Sequence, residues 1–267
     1  MDKAETWFAM ATERLTDPQN QRVWSVIVSL FGDLAQKPGD RISGGALTRI
    51  VQPMGIRPEA MRVALHRLRK DGWIDSSRSG RASVHSLTDY GRRLSAAVTP
   101  RIYARTPDVP ARWHMLVAED SPGIHTLDEV LLAENYISLG RNTALGPGPV
   151  PGDCADLLAL DVSARAVPDW LRSRLFPPEL VAACRDLHDA VRAVRAAQPA
   201  NWRPTPLRIA VLRTLLVHRW RRVVLRHPDL PPVFHPSDWA GPTCRSEVFA
   251  LLDTLPRPDL ARLDSSA

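Results

Sequence analysis

The chain has 267 residues, 44% hydrophobic and 24% charged, which is enough apolar content for a folded core and too much for a disordered segment. No run approaches the about 20 apolar residues of a membrane-spanning helix, and three widely spaced cysteines (Cys154, Cys184 and Cys244) without a CxxC pair exclude a zinc ribbon and a disulfide framework. The net charge of +6 sits in one segment: between Arg41 and Arg93 eleven Arg or Lys face four acids, a surplus suited to a polyanion that leaves the remainder near neutral.

Asp2, Glu5 and Glu13 stand where a secretory leader would be basic and then apolar, so the expected location is the cytoplasm. Residues 1–20 read as a weakly helical lead-in ending at Thr16-Asp17-Pro18. The apolar positions from Val23 to Phe31 predict a buried helix over 21–34, broken by Lys37-Pro38-Gly39-Asp40. Ser43 is an N-cap for a second helix over 44–52. Arg57-Pro58-Glu59 opens a third, with Pro58 at a first-turn position that needs no N–H, and Gly72 ends it. Residues 73–76 and 82–87 predict two strands around the basic tip Arg78-Ser79-Gly80-Arg81. Thr88 caps a further helix over 89–98, which Pro100 closes. Three helices followed by a hairpin make a winged helix-turn-helix over residues 20–100.

After a linker at 101–110 the pattern changes to a small α+β unit over 110–176. Strands are expected at 113–118, 141–145 and 157–162, and helices at 126–136 and 168–175. Helices at 179–196, 206–226 and 244–255 follow, with a proline-rich loop before the last, and make a helical domain over 177–258 with a frayed tail. The expected class is α+β, mainly α.

On the third helix Met61, Ala64, Leu65 and Leu68 fall on one side at 100° per residue. Glu59, Arg62, Val63, His66, Arg67 and Lys70 fall on the other, with Arg69 at a flank. An α-helix fits a major groove, and arginine there reads guanine through O6 and N7. Arg62 and His66 are therefore assigned to bases, Arg67 and Lys70 to phosphates, and Arg57 to the phosphate-attracting helix start. Arg78, Gly80 and Arg81 form a second grip on the DNA backbone. A pairing of Arg67 with Asp71 is the alternative for that side chain.

Several motifs carry a family resemblance. They are Ser29-Leu30-Phe31-Gly32-Asp33, the stretch Met61 to Trp73, Leu87-Thr88-Asp89-Tyr90-Gly91, Arg101-Ile102-Tyr103, Leu215-Leu216-Val217-His218-Arg219-Trp220-Arg221-Arg222, Asp229-Leu230-Pro231, and Pro236-Ser237-Asp238-Trp239-Ala240-Gly241. In this order they resemble the PaaX family of phenylacetate-catabolism repressors. The resemblance implies a winged helix-turn-helix, a middle domain of Cas2-like ferredoxin type and a C-terminal helical domain. It also implies a homodimer released from double-stranded operator DNA by an acyl-CoA (aryl-CoA) effector, with no cofactor and no enzymatic activity. Arg219 and Ala240 stand where the family usually has glutamate and proline.

His218, Trp220, Arg221, Arg222 and Trp239 are the candidate effector residues, because clustered cations suit phosphates and tryptophans suit a pocket wall. The competing expectation pairs Arg221 and Arg222 with acids such as Asp229 or Asp238. The rival function is a metal-dependent nuclease of Cas2-like type, for which Glu119-Asp120 is the one suggestive acidic pair. A nucleic-acid-binding module without a regulatory ligand is the third.

Overall fold

The structure, a computed structural model, describes residues 3–80, 82–119, 123–132, 136–152, 154–226 and 229–265. It is α+β and mainly helical, and no helix among the described residues is long and apolar enough to cross a membrane. Two compact units divide the chain: Met1–Arg105, Ala183–Val223 and Ala240–Ala267 form the first, Thr106–Ala182 and Val224–Trp239 the second. The helical segment near the C-terminus is thus gathered with the N-terminal helices.

The first unit begins with α1 (Lys3–Leu15) and α2 (Val23–Leu34). A short strand β1 (Ile42–Ser43) precedes α3 (Gly44–Val51), where the Ser43 side chain accepts a bond from the Ala46 N–H, as its N-cap role requires. A 3-10 turn at Gln52–Met54 leads to α4 (Pro58–Lys70). The strands β2 (Ile74–Ser79) and β3 (Ala82–Leu87) pair antiparallel, and β1 joins the outer side of β3. α5 (Asp89–Tyr103) follows the Thr88 cap.

Proline does not close α5. Pro100 lies inside it and the helix runs on to Tyr103. The reason lies far along the chain. The Ile102 carbonyl accepts from Trp220 Nε1 at 2.8 Å and the Ala104 carbonyl from Arg245 Nη1 at 2.6 Å, so two carbonyls at this helix end find partners. The Arg245 guanidinium also stacks 5.1 Å from the Trp220 ring.

Further helices of this unit are α8 (Pro178–Ala196) from Ala183 onward, α9 (Pro206–Val224) to Val223, and α10 (Gly241–Asp253). α9 is buried along most of its length, with Ala210, Leu212, Leu216 and Trp220 in the core. Asp33 of α2 is enclosed with it. Its carboxylate accepts from Arg213 Nε and Nη2 at 2.8 and 2.6 Å, from the Tyr103 hydroxyl at 2.6 Å and from Arg257 Nε at 3.2 Å. One acid thereby ties α2, α5, α9 and the C-terminal segment together. The expected frayed tail is instead a short helix α11 (Ala261–Ser265) with Leu263 buried, and Arg49 of α3 donates to the Leu263 carbonyl at 2.6 Å.

The second unit holds a four-stranded antiparallel sheet ordered β5-β6-β4-β7. Its strands are β4 (Trp113–Val117), β5 (Ile137–Gly140), β6 (Thr143–Pro147) and β7 (Leu158–Val162). The single strand expected at 141–145 is in fact a tight hairpin, with its turn at Arg141-Asn142. The crossing helix α6 (Gly123–Leu131) starts earlier than the expected 126–136 and buries Leu127 with Leu116, Ala144 and Leu157. α7 (Asp169–Leu175) precedes an aromatic group in which Phe176 meets His235 and Trp239 at 5.3 and 4.8 Å between ring centroids. All three cysteines are buried and unbridged.

Candidate nucleic-acid interface

α4 is amphipathic, as its spacing requires. Met61, Ala64, Leu65 and Leu68 are buried, and the helix packs against α2. Arg57, Arg62, His66, Arg67, Arg69 and Lys70 are all exposed. Pro58 stands at the first helical position, and Arg67, Arg69 and Lys70 occupy the last turn, where cations suit the negative end of the helix dipole.

Two of these arginines hold nearby acidic partners, one on α4 and one at its C-cap. Arg62 Nη2 bonds Glu59 Oε1 at 2.9 Å, and Arg67 Nε lies 3.5 Å from Asp71 Oδ2. These side chains are 47–71% exposed, so solvent screens both pairs. The Arg67 guanidinium also sits 5.3 Å from the Trp24 ring, which fixes its stem against α2. Glu59 is held below its ordinary range chiefly by a backbone hydrogen bond at the helix start, with Arg62 and Arg57 adding to it.

The sequence reading of this face assigned no role to Val63. It is 70% exposed in the middle of the cationic stripe. An apolar side chain in that position meets no core. The signal was available, because Val63 falls on the outward side by periodicity alone.

The hairpin stands beside α4. His85 on β3 faces Ser76 across the ladder, and its Nδ1 lies 2.7 Å from the Ser76 hydroxyl. Burial, with Arg69 adding to it, keeps the His85 imidazole below its usual range and so neutral. Arg78 is exposed opposite Ser83, and Gly80 at the tip has φ +60°, a left-handed turn that a side chain would strain. Arg81 lies outside the described residues. The arrangement is a cationic helix face and a cationic loop within the first unit.

His218, Trp220, Arg221 and Arg222 lie on α9, and Trp239 belongs to the second unit. Trp220 is a core residue bonded to Ile102. His218 Nδ1 lies 3.1 Å from the Ser29 hydroxyl. Burial, reinforced by Arg222 and Arg221, lowers its pKa to about 4. Burial also lowers Arg221, whose Nη1 is 3.3 Å from Ser29 Oγ. Arg222 pairs at 3.1 Å with Asp17, an acid the sequence reading had not matched to it. Among the described residues no three His, Cys, Asp or Glu side chains cluster closely enough to hold a metal ion, and Asp120 of the acidic pair lies outside them.

Comparison with known proteins gives two family matches. Residues 22–91 match the model described as PaaX-like protein, and residues 178–257 match the PaaX-like protein C-terminal domain. The chain is 31% identical over 242 residues to the Transcriptional repressor PaaX of Escherichia coli (strain K12), covering 83% of this chain and 76% of that protein. Its fold is similar to that of an uncharacterized protein, Rv0674, from Mycobacterium tuberculosis, with a TM-score of 0.50 at 20% identity over 90% of this chain and 97% of the other.

Proposed function

Because this chain belongs to the PaaX family of transcriptional regulators, we propose that it represses transcription by holding operator DNA through a winged helix-turn-helix built from α2, α3, α4 and the β2–β3 hairpin. One observation carries the reading: α4 buries its leucines and leaves Arg62, Val63, His66, Arg69 and Lys70 exposed as a continuous outward face. Arg62 and His66 read base edges, Val63 contacts a thymine methyl, and Arg57, Arg67, Arg69, Lys70, Arg78 and Arg81 grip phosphates. A homodimer would place two such helices on half-sites about one helical turn apart.

The sheet order of the second unit supports a middle domain of ferredoxin type, since β4, α6 and β5 form a crossover split by β6. The family membership supports an acyl-CoA thioester as the effector that ends DNA binding. Footprinting upstream of the neighbouring genes, followed by fluorescence anisotropy on the protected duplex, tests the reading. Arg62→Ala should weaken the protected site by about 1–3 kcal/mol while changing random DNA far less. Equal loss on both duplexes would remove Arg62 from base recognition, and absence of any protected site would remove the repressor.

A further inference from the structure

Within the first unit, α11 reaches back across more than two hundred residues to α3. Leu263 is buried and anchors it. The next residue, Asp264, meets two groups of the cationic segment. The Ser43 hydroxyl donates to Asp264 Oδ1. Arg49 Nη2 stands 3.7 Å from the same oxygen, while donating to the Leu263 and Asp264 carbonyls at 2.6 and 3.4 Å. This corner adjoins the hairpin. A Cβ on Gly44 would lie 2.8 Å from the Ser83 hydroxyl, and Ser83 pairs across the ladder with Arg78. Residues paired in this way share one face of a sheet. The start of α3, where Asp264 sits, is therefore on the hairpin face that carries Arg78. Folding leaves the carboxylate little to do. Asp264 is 55% exposed and Arg49 37%, so solvent screens their pairing, and Leu263 already holds the segment. Beside a phosphate-binding surface the same negative charge opposes each arriving phosphate.

We propose that α11 is an autoinhibitory strap: Asp264 occupies Ser43 and Arg49, a hydroxyl and a guanidinium able to donate to a DNA phosphate, and so holds the affinity for DNA below what the cations of this unit allow. The proposal rests on the assignment of α4 and the hairpin to DNA. An arriving phosphate competes with the carboxylate for the same donors. A contact of this kind carries no base information, so the restraint falls on random and operator duplexes alike. It limits occupancy of random DNA without altering sequence preference.

Fluorescence anisotropy of the full chain on the protected duplex and on a random duplex tests the strap. Asp264→Asn keeps the size of the side chain and an oxygen for the Ser43 hydroxyl but removes the charge. It should tighten both duplexes about threefold at about 50 mM salt, with the gain fading near about 0.5 M. Arg49→Gln should cost the Asp264→Asn protein more DNA affinity than it costs the parent, because in the parent Asp264 already neutralises that cation. Affinity unchanged or weakened by Asp264→Asn, or an equal cost of Arg49→Gln in both backgrounds, would overturn the strap and leave the DNA reading intact. A parent that binds neither duplex would overturn both.

Discussion

His218 shows how a residue that suggests a ligand site in the sequence becomes a packing element in the fold. The imidazole is enclosed beside Ser29, with Arg221 and Arg222 on its own helix and Asp17 paired to Arg222. Its pKa falls from 6.5 to about 4, so the folded protein holds it neutral. As pH drops the unfolded chain takes up this proton first. The stability it supports is full above pH 7 and is lost progressively between about pH 6.5 and pH 4. Urea denaturation should show about 2 kcal/mol of this loss between pH 7 and pH 5, and His218→Asn, which keeps a polar group near Ser29, should flatten that part of the curve. Equal slopes in parent and variant would place the titration elsewhere. The sequence shows the charge of the basic residues around His218 but not their partners in the fold. Asp17, the partner of Arg222, lies about two hundred residues away and no local pattern announces it.

Among the elements, α5 and the hairpin depend on one close contact. A Cβ on Gly91 would come within 2.3 Å of the Trp73 carbonyl oxygen, the same oxygen that accepts from the Thr88 N–H. Backbone has little freedom to yield there, so Gly91→Ala should cost about 1–3 kcal/mol and lower the melting temperature, with the hairpin the first region to exchange its amides. The hairpin itself has a separate signature. Removing both Arg78 and Arg81 should weaken specific and random DNA alike and reduce the slope of log affinity against log salt by about 2. An unchanged slope would take the hairpin away from the phosphates. Elements whose determinants are local were legible: α4 from Pro58 and its leucine period, α3 from Ser43, α5's start from Thr88. The outward face of α4 was legible for the same reason. The end of α5 was not, because Trp220 and Arg245 meet its last carbonyls from more than a hundred residues downstream.

At the scale of the molecule, the first unit is assembled from three separate stretches of chain. Its N-terminal portion carries polar groups that later stretches help to satisfy: Asp33, bonded locally to Tyr103, also pairs with Arg213 and Arg257, and carbonyls at the end of α5 accept from Trp220 and Arg245. A buried carboxylate stripped of its partners costs about 3–5 kcal/mol, a large share of the stability of a domain this size. Residues 1–105 expressed alone should therefore melt without a cooperative transition by circular dichroism, although they carry every residue assigned to DNA. A sharp transition matching that of the full chain would show that α8–α10 are dispensable to the reading head.

That Asp33 waits for Arg213 has a consequence during synthesis. At about 5–20 residues per second, roughly 5–20 seconds pass between the emergence of α5 and that of α9 from the ribosome. Throughout that interval the Asp33 carboxylate of the nascent chain lacks its Arg213 partner. Slower, cooler expression or a co-produced chaperone should raise the soluble yield of this protein more than that of one whose N-terminal domain closes on itself.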